Sequence, residues 1–395
     1  MPLPRTSHPP RSGPHLPRSD RSLSAADAVA LRLVSLLLAP RPAGYAGDPA
    51  PTDVAGVVTW LGAMQAQDQG SAAWSFGVRL PGLTLAELDA ALERREALRT
   101  WPMRGTVHYV PPRDAHWMLE LMGRRALAGA AKRREVLGLS EQVANRAVEI
   151  LADVLRGGKR LTRAQCLAAL ADRGLPVSGQ LGYHLLWYAS QLGVTCFAPN
   201  IGTEQAFTLL DEWVPDPHRP DPEEALATIA LRYFRGHGPA PVTDFAGWTG
   251  LPITQCRRGV AAAGDALVEV LVDGVPMVAE RALVESYTPP RRRATQVLAL
   301  PGFDEFLLGY KDRSLMLDPA HKQAIIPGGN GVFQPTIVRD GRVVGTWRRT
   351  VRRGTVEITV TPLAALSTRD RTAVTAAFRP YGRFLGLTPT VTWTS

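Results

Sequence analysis

The strongest constraint on what this chain can fold into is a unit of three helices and a strand hairpin that the sequence spells out twice. In one copy, ANRAVEILADVLRGG (144–158) sets Val148, Leu151, Val154 and Leu155 on one helical face, and Gly157-Gly158 ends it. Thr162 and Gln165 form a capping box for a second helix that runs to about Gly174. Ser178 caps a third helix, GQLGYHLLWYASQL, which Gly193 closes, and VTCFA (194–198) follows as a short strand. The other copy starts at Asp221-Pro222-Glu223-Glu224, which supplies a cap, a proline at the first helical position and acids in the first turn. Helix 223–235, TDFAGWTG (243–250) and PITQCRRGVAAA (252–263) come next. LVEVLVDG (267–274) then enters an Asp-Gly turn from which VPMVAE returns.

Three helices followed by a hairpin is the order of a winged helix. The first region reads as a third copy, with helices expected at 25–39, 52–66 and 84–95, strand-like alternation in TWPMRGTVHYV (100–110), and a further helix in PRDAHWMLELMGRRALAG. After about residue 290 the texture changes. TQVLAL (295–300), FQPTIVRDGRVVGTWRRT (333–350) and GTVEITV (354–360) are rich in β-branched residues, and Asp340-Gly341 is a hairpin turn. A helix at 367–386 and a strand, VTWT, at 391–394 follow. The expected fold class is α+β: tandem winged-helix domains at 23–140, 141–220 and 221–288, then a small β-rich C-terminal domain with an antiparallel sheet at 289–395. Residues 1–22 hold four Arg, one Asp and six Pro, cannot bury apolar area, and read as a disordered tail.

Among the 395 residues, 45% are apolar and 21% charged, as in ordinary soluble globular proteins. The net charge is +9 and the pI about 9.9. A basic excess on repeated winged helices favours double-stranded DNA as partner. Scaffolding or protein contact is the other use of such helices. LRLVSLLLA (31–39) has the length of a signal-peptide core, but Arg32 interrupts it and Leu31, Val34, Leu37 and Leu38 have helical spacing. No apolar run approaches the ~20 residues of a membrane helix. The expectation is a cytoplasmic, nucleoid-associated monomer. Cys166, Cys196 and Cys256 form no C-x-x-C pair, and the eight histidines show no ligand spacing, which argues against zinc. No cofactor is expected.

MQAQDQG (64–70) sets three amides and an acid close together at the end of an apolar run. With MQAQD (64–68), three other stretches complete a pattern: RTWPMRGTVHYV (99–110), LPGFDEFLLGYKDR (300–313) and NGVFQPTIVRDGRVVGTWRR (330–349). Together they resemble the winged-helix DNA glycosylase family of AlkZ-like and YcaQ-like enzymes, over nearly the whole chain after residue 23. The resemblance implies excision of bulky alkylated purines and unhooking of interstrand crosslinks. It also implies a catalytic element of a glutamine, an apolar residue, then a glutamine or aspartate, which falls here on Gln65, Ala66 and Gln67. Alanine is smaller than the usual central residue of that element.

Amides suit this chemistry. A purine alkylated at N7 is cationic, so its glycosidic bond is already weak, and departure of the base leaves an oxocarbenium-like sugar. The enzyme must position water and support positive charge on the sugar, and a glutamine carbonyl can do both. An amide is a poor general base, so unmodified purines are spared. No lysine lies near the motif to form a Schiff base, so the expected reaction is monofunctional hydrolysis leaving an abasic site. Residues two apart point about 200° away from each other on a helix, but to one side of an extended segment. Joint action of Gln65 and Gln67 therefore requires the helix over 52–64 to loosen by about Gln65.

Other candidates carry two readings each. Asp68 is a base or a capping side chain, with capping favoured, and Gln69 reads as surface. Arg104 and His108 contact phosphate or nucleotide, or else belong to a strand with an ion pair and a buried histidine. Asp304 is a second carboxylate at the site or, as favoured, a tie to a neighbouring backbone or Arg. Lys311 and Arg313 face DNA or pair with Asp312. Six arginines between 335 and 360, Arg348 and Arg349 among them, suit a ribbon tracking a DNA groove or else a charged sheet edge. The basic clusters at 124–125, 132–134, 257–258 and 291–293 fit an extended phosphate-contacting surface. A non-catalytic winged-helix DNA-binding transcriptional regulator is the rival to an enzyme.

Overall fold

The computed structural model of this chain describes residues 16–289 and 295–394, so the basic cluster at 291–293 lies outside the described residues. Strand β1 (Arg18–Leu23) precedes helix α1 (Ala25–Ser35), which Ser24 and Asp27 open with a capping box. Helix α2 (Val54–Leu61), capped by Asp53, is apolar along its length and stops at Gly62, whose φ of 77° turns the chain. The chain then runs as a short strand β2 (Met64–Gln65) before α3 (Gln69–Gly77) and α4 (Leu85–Glu93). The single helix expected over 52–66 is thus a shorter helix and a strand. Strands β3 (Leu98–Met103) and β4 (Thr106–Val110) make a hairpin, and α5 (Arg124–Val136) closes the first unit.

The second unit has the expected order: α6 (Glu141–Val154), a two-residue strand β5 (Leu161–Thr162), α7 (Arg163–Ala171), α8 (Gln180–Gln191), then β6 (Thr195–Ile201) and β7 (Glu204–Leu209). The Thr162–Gln165 capping box is present, whereas α8 starts at Gly179, φ 58°, without a cap from Ser178. The first two units are not separate beads. Their strands form one six-stranded sheet in the order β2-β4-β3-β6-β7-β5. The seam is the antiparallel pair Arg99↔Phe197, with the Trp101 and Phe197 rings 4.5 Å apart. Gln191 Nε2 donates to the Trp101 carbonyl at 2.8 Å across it. The division expected at residue 140 therefore crosses a continuous sheet.

The third unit comprises α9 (Pro222–His237), α10 (Val242–Thr249), α11 (Ile253–Ala262) and the hairpin β8 (Leu267–Val272) with β9 (Val275–Glu280). Asp221 caps α9 through the amides of Glu223 and Glu224, both at 2.9 Å. Here the structure corrects the expected disordered tail over part of its length. Strand β1 pairs in parallel with β8, and Arg18 meets Glu269 at 2.8 Å. The polar stretch RSDRSL has no apolar pattern of its own; the exposed edge of β8 supplies the hydrogen-bonding partner. Residues 1–15 lie outside the described residues.

The C-terminal part is a five-stranded sheet, β10 (Val297–Leu300), β11 (Thr336–Arg339), β12 (Arg342–Arg352), β13 (Thr355–Pro362) and β14 (Thr388–Trp393). It is not wholly antiparallel. Helices α12 (Thr368–Ala377) and α13 (Arg379–Leu385) carry the chain back so that β14 runs parallel to β13. Helix α3 docks on this domain. Trp74 lies 5.0 Å from the Tyr381 ring and donates to the Ala299 carbonyl at 2.8 Å, while Trp347 stands 5.3 Å from Tyr381. This packing brings the 300–313 stretch and strand β12 against the segment that carries the glutamines.

Candidate active site

The helix ends before the glutamines: Met64 and Gln65 form a short strand, and Gln67 lies in the bend that leads into α3. Gly62 ends α2, and Met64 and Gln65 then pair along the edge of β4, opposite Tyr109 and His108. The Ala66 amide continues the ladder to the Val107 carbonyl at 2.8 Å. Gln65 is buried and Gln67 exposed. The Gln65 carbonyl oxygen is buried without a hydrogen-bond partner. An unmet buried acceptor costs about 1–3 kcal/mol, so its presence in a well-packed strand calls for an explanation.

Asp68 is the N-cap of α3, accepting from the Ser71 amide at 2.7 Å. Arg349 reaches over from β12, its Nη2 3.5 Å from Asp68. It crosses so closely above Gly70 that any side chain there would collide with the guanidinium. On the other side the loop is held by Gln69, which is half-buried rather than surface. With its amide oxygen turned to Arg99, it accepts from both terminal nitrogens at 2.7 and 2.9 Å. Arg99 is itself buried, stacked 4.3 Å from the Phe197 ring.

His108 is fully buried. Its Nδ1 lies 2.9 Å from the Thr106 carbonyl, which fixes the proton on that nitrogen and leaves Nε2 as the acceptor, 3.4 Å from Arg104. Burial, and then the Arg104 cation, push its pKa down to about 4, so the ring is neutral near pH 7. Arg104 occupies the first central position of the β3–β4 turn, with φ 55°, followed by Gly105 at 69°. Both central residues of this tight turn must take positive φ, and an arginine there is strained by about 1–2 kcal/mol. Although Arg104 is exposed as a residue, its guanidinium is turned in against His108, and burial lowers its pKa.

Beneath the glutamine strand lies a carboxylate that the sequence reading passed over. Glu305 is buried and accepts from the Gln65 backbone amide at 3.3 Å, from Trp248 Nε1 at 3.0 Å, and faces His237 Nε2 at 3.1 Å. Burial pushes its pKa up, but the hydrogen bond and charge of His237, with His108 and the Trp248 hydrogen bond, outweigh this and hold it below the usual carboxylate range. Its neighbour Asp304 has the tying role favoured from sequence. It grips Arg79 of the loop after α3 through both oxygens, at 2.8 and 2.9 Å, and caps the Phe306 amide at 2.9 Å. His237 and Trp248 come from the third unit, and no spacing rule links them to residue 305.

The remaining candidates scatter. Lys311 is exposed, its backbone amide held by Asp244 at 3.2 Å. Arg313 is half-buried and braces its own loop: Nε donates to the Leu307 carbonyl at 2.7 Å, and the guanidinium stacks 4.9 Å from Phe333. Asp312 turns to the Ser314 amide at 2.9 Å. Arg348 is exposed on β12 and shares a face with Arg352, whereas Arg349 lies on the opposite face with Trp347. No cluster of His, Cys, Asp and Glu able to hold a metal occurs among the described residues. The three cysteines are buried free thiols, and no helix among the described residues is long and apolar enough to cross a membrane.

Helical units with strand hairpins, joined to a small mixed sheet, thus hold the glutamine strand between arginines and buried carboxylates. The family model described as DNA glycosylase AlkZ-like matches residues 58–384, and the chain belongs to that family of enzymes, which hydrolyse N-glycosidic bonds. The chain is 31% identical over 299 residues to an interstrand DNA cross-link repair glycosylase of Streptomyces sahachiroi, covering 69% of this chain and 79% of the relative. It also resembles the solved structure of the Streptomyces sahachiroi DNA glycosylase AlkZ, with a TM-score of 0.77 and 27% identity over 95% of this chain and 100% of the other. The α+β architecture expected from sequence is that of this relative.

Proposed function

We propose that this chain is a monofunctional glycosylase that removes cationic N7-alkylated purines from double-stranded DNA, including purines that anchor an interstrand crosslink, and leaves an abasic site. The observation that carries the reading is the unpartnered Gln65 carbonyl on an extended edge strand beside neutral His108. In this reading the C1′–N9 bond breaks heterolytically. The electron pair goes to the base, which leaves neutral. Water adds to C1′ and gives its proton to solvent. Gln65 and Gln67 accept hydrogen bonds from that water and turn their carbonyl dipoles toward the sugar. Glu305 holds the backbone of Gln65, and its charge lies behind the strand, where it favours positive charge in front. Arg104 and Arg348 are the phosphate contacts of this reading, with His108 a neutral wall. The Streptomyces relative, named for cross-link repair, supports the crosslink part of the proposal.

The test is a gel assay on duplexes carrying N7-modified guanines, scored by alkaline strand scission at abasic sites. Scission at the modified guanine and none at unmodified purines is the expected result. Absence of scission with every N7 adduct, from a protein that binds the same duplexes, would leave the DNA-binding regulator in place of the enzyme.

A further inference from the structure

Arg104 also walls a depression away from the glutamine strand. A groove of about 720 Å³ lies between α5 and the N-terminal end of α8. Arg104, Arg133 and Arg163 line it with Tyr183, His184 and Trp187, and no Asp or Glu does. Arg133 engages the Gln180 amide and Arg163 lies 5.7 Å from the Tyr183 ring. Tyr183 is 46% exposed, an unusual state for a large ring on a packed helix. His184 is 6% exposed and its Nε2 has no partner. The floor is small: Ala126, Gly129 and Ala130, with open space above Gly129. Helix α8 is the third helix of its winged unit, the element whose first residues read DNA in helix-turn-helix proteins.

We propose that this groove is a second nucleotide site, which takes one unpaired nucleotide of the DNA strand beyond the excision centre; it rests on DNA being the substrate. The arginines beside the start of α8 receive the phosphate. Tyr183 stacks on the base, and the small floor lets a flat ring approach. A base within a duplex is covered on both faces by its neighbours, so the ring selects unpaired nucleotides. Such nucleotides arise where a crosslink or bulky adduct disrupts pairing. Arg104 lines the groove and touches His108, the strand partner of Gln65, which ties occupancy of the groove to the Gln65 strand.

Fluorescence anisotropy with undamaged, labelled DNA tests this: a blunt duplex against the same duplex with a short unpaired tail, at one salt concentration. The full-length protein is expected to bind the tailed DNA about tenfold more tightly. Tyr183→Ala, and Gly129→Phe, which fills the groove, are expected to bring the ratio close to one while melting like the parent. Arg163→Gln, an exposed change, lowers tailed-DNA affinity and flattens its salt dependence by about one unit of slope. Equal binding of the two DNAs by the parent protein, or an undiminished tail preference in folded Tyr183→Ala, overturns the proposal. Because the probe is undamaged, these outcomes are independent of N7-adduct excision, whose failure would instead overturn the proposed reaction.

Discussion

At the scale of single residues the site is made of groups whose burial runs against their polarity. Gln65 keeps an unmet carbonyl in the interior, so Gln65→Met is expected to stabilise the protein by about 1 kcal/mol while slowing excision about a hundredfold or more. Thermal melts and single-turnover rates on one preparation check both halves. Glu305→Gln is expected to slow single-turnover excision at saturating DNA about tenfold to a hundredfold with little change in DNA Kd. A fall in affinity without a change in rate would remove its positioning role. His108 supplies a pH signature. Its pKa is about 4 in the fold and about 6.5 when unfolded. Above pH 6.5 both states are neutral and the histidine has no effect. As pH falls, the unfolded chain takes up the proton first, so stability drops by about 3 kcal/mol between pH 6.5 and 4. Denaturant titrations across that window should show the slope, and His108→Gln should flatten it.

At the scale of elements, the key feature is where α2 stops. Gly62 has φ 77°, and a β-carbon there would lie 3.3 Å from that of Arg232. Gly62→Ala is expected to cost about 1 kcal/mol in stability and to depress excision further than that loss explains, since continued helix would turn Gln65 and Gln67 apart. Melting and rate measurements together separate the two effects. The sequence made helix caps legible because a cap is local: Thr162 with Gln165, and Asp221 with its proline, are read within four residues. An end to the helix before Gln65 was expected from the proposed pairing of the two glutamines, and Gly62 at positive φ supplies it. Strand β2 itself was hidden, because Met64-Gln65 has no alternation and owes its conformation to β4. Strand β1 was hidden for the same reason; β14 was legible as VTWT (391–394), but its parallel pairing was not, because a parallel partner can lie anywhere in the sequence. The Glu305, His237 and Trp248 cluster needs three segments to meet, and only the fold supplies that meeting.

At the scale of the molecule, charge and connectivity decide how DNA is handled. Arg348 and Arg352 share the outward face of the long β12–β13 hairpin. Replacing both with alanine is expected to weaken binding uniformly across sequences and to reduce the slope of log K against log salt by about two, measured by anisotropy over a range of salt. The repeat pattern made three helix-and-hairpin units visible, but not that the strands of the first two are welded into one sheet. Arg99 stands at that weld, stacked on Phe197, and it also clasps Gln69 two positions beyond Gln67. Gln205 of the second unit reaches the same Gln69 oxygen at 3.1 Å, so the loop that carries the glutamines is moored to both sides of the weld and would feel any shear between the two units.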